Sequence, residues 1–366
     1  MAAYFARRLL LIIPTFIGVT VIGFGITRLL PGGPLERQVM GIKSAMSGQG
    51  GGTATLGADL VEEDLRDQLR KTFHLDKPWY SAYFLWLGNF AQGDLGTSYE
   101  TSEPVGQRIR ERFPISLIFG LTGFLLAYFV CIPLGISKAL RHGSTFDFAS
   151  SAIVFVGYSI PGWAIGLLLL LLLASGNYLD VFPLGGTHSD TFENLPAISR
   201  SMEARENVVN EYDELVRENM SFMSRFFDRA YYMILPIFCY MMGSFASLTI
   251  LTKNSLLDNL GQDYVRTAFA KGLSPRRVIF VHTLRNSLIP LATGLGHALG
   301  LIMAGSFLIE QIFNIPGLGL LGYDAIVGYD YAVVMGVLAI NTILLLFGNI
   351  FSDMLYAVID PRIRFE

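Results

Sequence analysis

Apolar residues in this chain gather into long runs separated by polar stretches, and the runs have the length of membrane spans. Crossing a bilayer takes roughly 20 apolar residues in a helix. Six runs qualify: Leu9–Leu30, Ile115–Ser137, Phe148–Ala174, Tyr231–Thr252, Leu288–Ile309, and a stretch from Ala332 past Ser352. The first is longer than the apolar core of a signal peptide, about 7–15 residues, and ends in Pro31-Gly32-Gly33-Pro34, so a retained helix is predicted. The expected class is an all-α membrane protein with six transmembrane helices. Its parts are an N-terminal helix in 1–30, an extracytoplasmic segment 31–114, a core 115–358 and a tail 359–366. Within the core the spans are about 115–137, 148–174, 231–252, 288–309 and 332–358, with an outer loop 175–230 and an inner segment 253–287.

Lys and Arg set the direction, because they concentrate on the cytoplasmic side. With the N-terminus inside, the inner segments hold 12 Lys+Arg against 6 Asp+Glu, and the outer ones 14 against 23. Both termini are therefore expected in the cytoplasm. Composition agrees with the membrane reading: 52% of the 366 residues are hydrophobic and 16% charged, against about 25% charged in soluble domains. A net charge of −3 leaves no basic footprint for nucleic acid. Cys131 and Cys239, each inside an apolar run, make neither a disulfide framework nor a metal site.

The loops carry local order. After a Gly/Ser stretch, Gly41 to Gly57, residues Val61, Leu65, Leu69 and Phe73 form one apolar helical stripe, and the aromatics from Trp79 to Phe90 suit a headgroup layer or a packed subdomain. Val208, Tyr212 and Leu215 put an amphipathic helix in the acidic stretch 203–218. In segment 253–287, Asp263 to Lys271 reads as a short helix with a small-residue surface at Ala268 and Ala270. Gly272 can end it in the left-handed conformation. Ser274 then fits an N-cap and Pro275 the first position of a basic helix bearing Arg276, Arg277, His282 and Arg285.

Chemical motifs are sparse. No P-loop and no His-Glu-x-x-His occur, and Gly317-x-Gly319-x-x-Gly322 follows a membrane helix with no strand, so a glycine-shaped loop is expected there. Ionisable groups deep in a bilayer are functional candidates. His297 lies mid-span among small residues that include Thr293 and Gly296, which allow either a cavity or close helix packing. One proline in each of the first five spans, Pro14, Pro133, Pro161, Pro236 and Pro290, is compatible with kinks.

Several strings, in order and spacing, resemble the permease subunits of ABC-type peptide and oligopeptide importers. They include Arg7-Arg8-Leu9-Leu10, Gly93-Asp94-Leu95-Gly96-Thr97-Ser98, Ile132-Pro133-Leu134-Gly135, Gly157-Tyr158-Ser159-Ile160-Pro161, Pro316-Gly317-Leu318-Gly319 and Asp360-Pro361-Arg362-Ile363. Tyr264 to Ser274 looks like the loop such permeases present to their ATPases, with Arg266 where the general motif has Glu. Ser144-Thr145-Phe146-Asp147, Leu251-Thr252-Lys253-Asn254-Ser255 and the ending Arg364-Phe365-Glu366 are similar to the Yej-type branch, which takes up oligopeptides and microcin C.

The resemblance implies a type I ABC importer fold in the bacterial inner membrane, with no catalytic site and no bound cofactor. ATP and Mg would be held by partner subunits. The implied partners are a second homologous permease, an ABC ATPase (one fused chain or two), a periplasmic peptide-binding protein and membrane lipid. The coupling positions would be Arg266, Thr267, Ala268, Ala270, Lys271, Gly272, Leu273, Ser274 and Arg276, and the pathway candidates His297, Thr293 and Tyr158. Beside this stand three alternatives. They are a stand-alone secondary transporter or channel, an importer permease for a non-peptide solute, and an intramembrane enzyme, which would need a nucleophile–base or metal pair within the spans.

The charge count makes a topology test. With Cys131 and Cys239 removed, Ser144→Cys should react only with a thiol reagent applied from the cytoplasm and Thr187→Cys only from outside. Reversed labelling would sink the arrangement with both ends inside.

Overall fold

The computed structural model describes residues 2–29, 76–174, 176, 178–179, 181–187, 222–291 and 305–359. The expected helices over 59–73 and 203–218, most of the span 288–309, and the tail from 360 lie outside the described residues. The described elements are α1 (Ala2–Leu29), α2 (Trp79–Ala91), α3 (Val105–Leu140), α4 (Thr145–Ser159), α5 (Gly162–Leu173), α6 (Phe222–Leu260), α7 (Asp263–Ala270), α8 (Pro275–Arg277), α9 (Leu284–Ser287), α10 (Phe307–Ile312), α11 (Leu318–Gly328) and α12 (Tyr331–Ile359). A π-helical stretch, Val278–Thr283, joins α8 to α9. Among the described residues α1, α3, α6 and α12 are each long and apolar enough to cross a membrane, and α4 with α5 makes a fifth crossing if the bent pair is one span.

The run 148–174 was expected as one helix and is instead two, bent by 95°. Proline at 161 is the cause. It disfavours helical backbone in the residue before it, and Ile160 is accordingly extended at φ −104, ψ 122. The pattern of glycines at 317, 319 and 322 opens a helix, not a loop. Ser116 Oγ accepts from Leu318 N at 2.7 Å, capping α11 from another element. Leu318, Leu321 and Ala325 then bury one face of α11.

The residues fall into two compact units. The first comprises Met1–Leu117, Ala292–Phe307 and Gly317–Glu366, the second Ile118–Leu291 and Leu308–Pro316. In the first, α1 packs along α12, and Arg8 Nη1 pairs with Asp353 Oδ2 at 2.8 Å. Asp330, 1% exposed, precedes α12 and organises the segment between α2 and α3. Its carboxylate accepts from Tyr99 N at 3.1 Å, from the Ser98 hydroxyl and from Val333 N at 3.3 Å. Arg108 Nη1 completes the group by donating to Ser98 Oγ at 3.0 Å. The Gly93–Ser98 string is thus a loop tied to the start of the last helix.

The second unit is built on α6, against which α4 and α5 pack. Helix α3 also lies close to α6: a Cβ on Gly135 would lie 2.5 Å from Thr252 Cβ and 2.8 Å from the Thr249 carbonyl. Only glycine allows that approach. One turn along, three ionised side chains meet. Lys138 Nζ donates to the Asp147 carbonyl at 3.0 Å and to the hydroxyls of Ser150 and Ser151, both at 2.8 Å. It also lies 3.3 Å from Asp147 Oδ1. Lys253 Nζ donates to both Asp147 carboxylate oxygens, at 2.7 and 2.8 Å. Gly143 N adds a bond at 3.2 Å. Of the two lysines, Lys253 makes the closer contact with the carboxylate.

Removing one member of a buried ion pair leaves a charge without its counterpart and costs about 3 kcal/mol or more. Asp147→Ala should therefore lower the midpoint of thermal unfolding in detergent markedly, and adding Lys138→Met should recover part of the loss. A double variant no more stable than the single one would reject the buried-charge account.

Candidate functional site

Segment 253–287 folds as helix, tight turn and basic helix. Val265 fixes α7 in place: it is 1% exposed, and α7 packs on the π-helical stretch, whose Val278 and Thr283 are both fully buried. A π turn leaves the carbonyl ladder uneven, and here Thr283 Oγ1 donates to the Val278 carbonyl at 3.0 Å. At the far end Ser255 Oγ donates to the Ser287 carbonyl at 2.8 Å, tying the basic helix back to α6.

The turn closes as the sequence suggests. Gly272 has φ +78. Gly272 N donates to the Phe269 carbonyl at 2.9 Å and Leu273 N to that of Ala268 at 3.4 Å, the paired bonds of a Schellman motif. Lys271 is the cap residue, so α7 ends one residue earlier than expected. Ser274 holds the N-cap position in extended backbone with Pro275 behind it, but its hydroxyl makes no cap bond.

Of the coupling positions, Arg266, Thr267, Ala270, Lys271, Gly272, Ser274 and Arg276 are exposed, and Ala268 and Leu273 half-buried. They form one continuous patch around the turn. Arg266 pairs with Asp263 at 3.5 Å, but both side chains are open to solvent, so the pair contributes little. Two exposed aromatics, Tyr264 at 38% and Phe269 at 44%, share this short helix. Small-residue spacing points only to the alanines there and misses both rings.

The pathway candidates divide. Tyr158 is the penultimate residue of α4, just before its break from α5, and is 64% exposed. Thr293 and His297 lie outside the described residues. Glu310, one residue past the expected fifth span 288–309, takes an interior position. Glu310 is 1% exposed, and Tyr240 Oη, from the middle of α6, donates to it at 3.4 Å. Its signal is an acid in an apolar helical run. Lys138, Asp147 and Lys253 likewise count only as loop charges in the sequence, although Ser144-x-x-Asp147 has the spacing of a helix start. Among the described residues no cluster of His, Cys, Asp or Glu could hold a metal, and Cys131 and Cys239 are buried free thiols.

Residues 131–365 match the family described as "binding-protein-dependent transport system inner membrane component". The inner membrane ABC transporter permease protein YejB of Escherichia coli is 35% identical over 387 residues, covering 100% of each chain. The peptidoglycan transport system permease protein YejB of Agrobacterium fabrum is 34% identical, over 100% of this chain and 99% of its own. The oligopeptide transport system permease protein AppB of Bacillus subtilis is 34% identical over 100% of both.

Proposed function

The chain belongs to the family of binding-protein-dependent transport system inner membrane components, and from that premise we propose that it is the permease subunit of an ATP-driven importer of peptides. The observation that carries this reading is the end-to-end similarity, at 34–35% identity, to permeases named for oligopeptide and Yej-type transport. The substrates would be oligopeptides, with microcin C-like conjugates within the range of the Yej-type branch. The same membership makes the chain one component of a larger system, which speaks against a stand-alone carrier.

In this reading the chain makes and breaks no covalent bond. Six spans with both ends in the cytoplasm, as the charge count favours, form half of the pathway and a second permease the other half. ATP and Mg would be held by the ATPase partner, and a periplasmic binding protein would deliver peptide. Alternating access needs an element whose contacts differ between two states, and α7 with the turn at Gly272 is our candidate. Its exposed patch, from Arg266 to Arg276, would seat in the ATPase. Val265 and the Ser255–Ser287 bond would pass its displacement to α6. Tyr158, Thr293 and His297 would line the route taken by the peptide.

Co-purification of the chain with a P-loop ATPase is the direct test of the reading. Two variants test the coupling patch. A Cβ at Gly272 would meet no atom within 4 Å, so Gly272→Val costs only backbone strain, about 1–2 kcal/mol for left-handed φ. Ala268→Trp adds bulk to the half-buried side of α7. Each should insert normally yet weaken ATPase co-purification or uncouple ATP hydrolysis from uptake. A positively charged loop needed only for topology would give normal coupling in both, because neither change alters a charge.

For the pathway, His297→Leu should lower uptake or change peptide preference while the complex still assembles. Wild-type uptake across several peptides would reduce His297 to a packing residue.

A further inference from the structure

Helix α2 falls in the segment assigned by sequence to the extracytoplasmic side, yet it packs beside a membrane span. Phe90 lies against Phe16 with ring centroids 5.2 Å apart, and Tyr83 against Phe24 at 5.6 Å. Between them Tyr83 Oη and Thr20 Oγ1 share a hydrogen bond of 2.9 Å. Phe16, Thr20 and Phe24 are spaced by four, so the rings of α2 descend one face of α1. Phe16 precedes the end of the span Ala6–Leu29 by 13 residues, a depth of about 20 Å at ~1.5 Å per residue. One leaflet of a roughly 30 Å hydrocarbon core is about 15 Å deep, so the contacts of Tyr83 with Thr20 and Phe24 lie within the leaflet on the Leu29 side, and that of Phe90 with Phe16 reaches the middle of the span.

The opposite face of α2 is apolar and open. Tyr80 is 55% exposed, Phe84 67% and Leu85 39%, and Trp79, which starts the stripe that Tyr83 continues, is 54% exposed at the end of the helix. At the same depth α1 exposes Ile22 at 65% and Ile26 at 53%, the outward surface of a transmembrane helix. The two faces are therefore continuous in depth and in character. Asp76 and Lys77 precede α2, its backbone bonds are internal, as hydrocarbon requires, and beyond Gln92 and Asp94 the chain returns to the start of α12, where a Cβ on Gly96 would lie 3.9 Å from Ala332 Cβ.

We propose that the first turns of α2 are immersed in the leaflet on the Leu29 side and that lipid acyl chains cover the face formed by Tyr80, Phe84 and Leu85. The proposal depends on α1 spanning the membrane and not on the identity of the cargo. Part of segment 31–114 is then membrane-embedded, and α2 is an interfacial wedge that holds the outer end of α1 to one depth.

The chain has three tryptophans, at positions 79, 86 and 163, which makes fluorescence a clean test. Phe84→Trp in a background of Trp79→Phe, Trp86→Phe and Trp163→Phe gives a single reporter, read in nanodiscs with and without the assembled partner subunits. Lipids brominated on the acyl chain should lower its emission about twofold, as for an aromatic at the interface, and aqueous iodide should leave it unchanged. Quenching by iodide with no effect of bromolipid would overturn the proposal in favour of a water-facing subdomain. Silence to both reagents would overturn it in favour of a protein cover. Native Trp79, kept alone through Trp86→Phe and Trp163→Phe, should be quenched by bromolipid in the same way, and it guards against a misfolded Phe84→Trp variant.

Discussion

The Asp147 carboxylate, closed between the ammonium groups of Lys138 and Lys253, is the contact on which the second unit turns. Bringing three charges out of water is costly unless every donor and lone pair finds a partner. Here the excess positive charge is spread over two serine hydroxyls, a carbonyl and the carboxylate. That demand locates the end of α3, the start of α4 and one turn of α6 relative to one another. It also explains Gly135. Lys253 reaches Asp147 only if α6 lies close to α3, and Thr252, its neighbour in sequence, is the residue a Cβ at 135 would strike. A side-chain pairing and a bare backbone are two halves of one requirement.

The segment beyond α6 is suspended from this fixed point. The Ser255–Ser287 bond comes just after Lys253, and α7 leans on the π-helical stretch through Val265. Few buried contacts hold the short helix, and its exposed side carries mixed aromatic and basic groups. In the first unit Asp330 plays a comparable part, gathering a loop of the segment 76–104 onto the start of α12.

Local patterns are readable in the sequence, and long-range ones are not. The apolar runs announce α1, α3, α6 and α12, although α3 and α6 continue past the expected ends because polar residues prolong a helix beyond the hydrocarbon. The turn at Gly272 is legible, since left-handed backbone and the Ser-Pro helix start leave a local trace. The break of the third run is only half legible: Pro161 stands out, but whether neighbours bridge a proline or let the helix bend by 95° depends on packing. The Asp147–Lys253 pair spans 106 positions, and no periodicity signals it. Glu310 escapes for a related reason, because depth along a run says nothing of which partner a side chain meets.

Sequence separation also has a temporal meaning. Lys138 and Asp147 leave the ribosome within moments of each other, whereas Lys253 follows Asp147 by 106 residues. At about 5–20 residues per second, synthesis leaves an interval of roughly 5–20 s in which one lysine alone faces the carboxylate. The helical hairpin of α3 and α4 can thus pair Lys138 with Asp147 by itself, and Lys253 is available to complete the cluster only once α6 has been made.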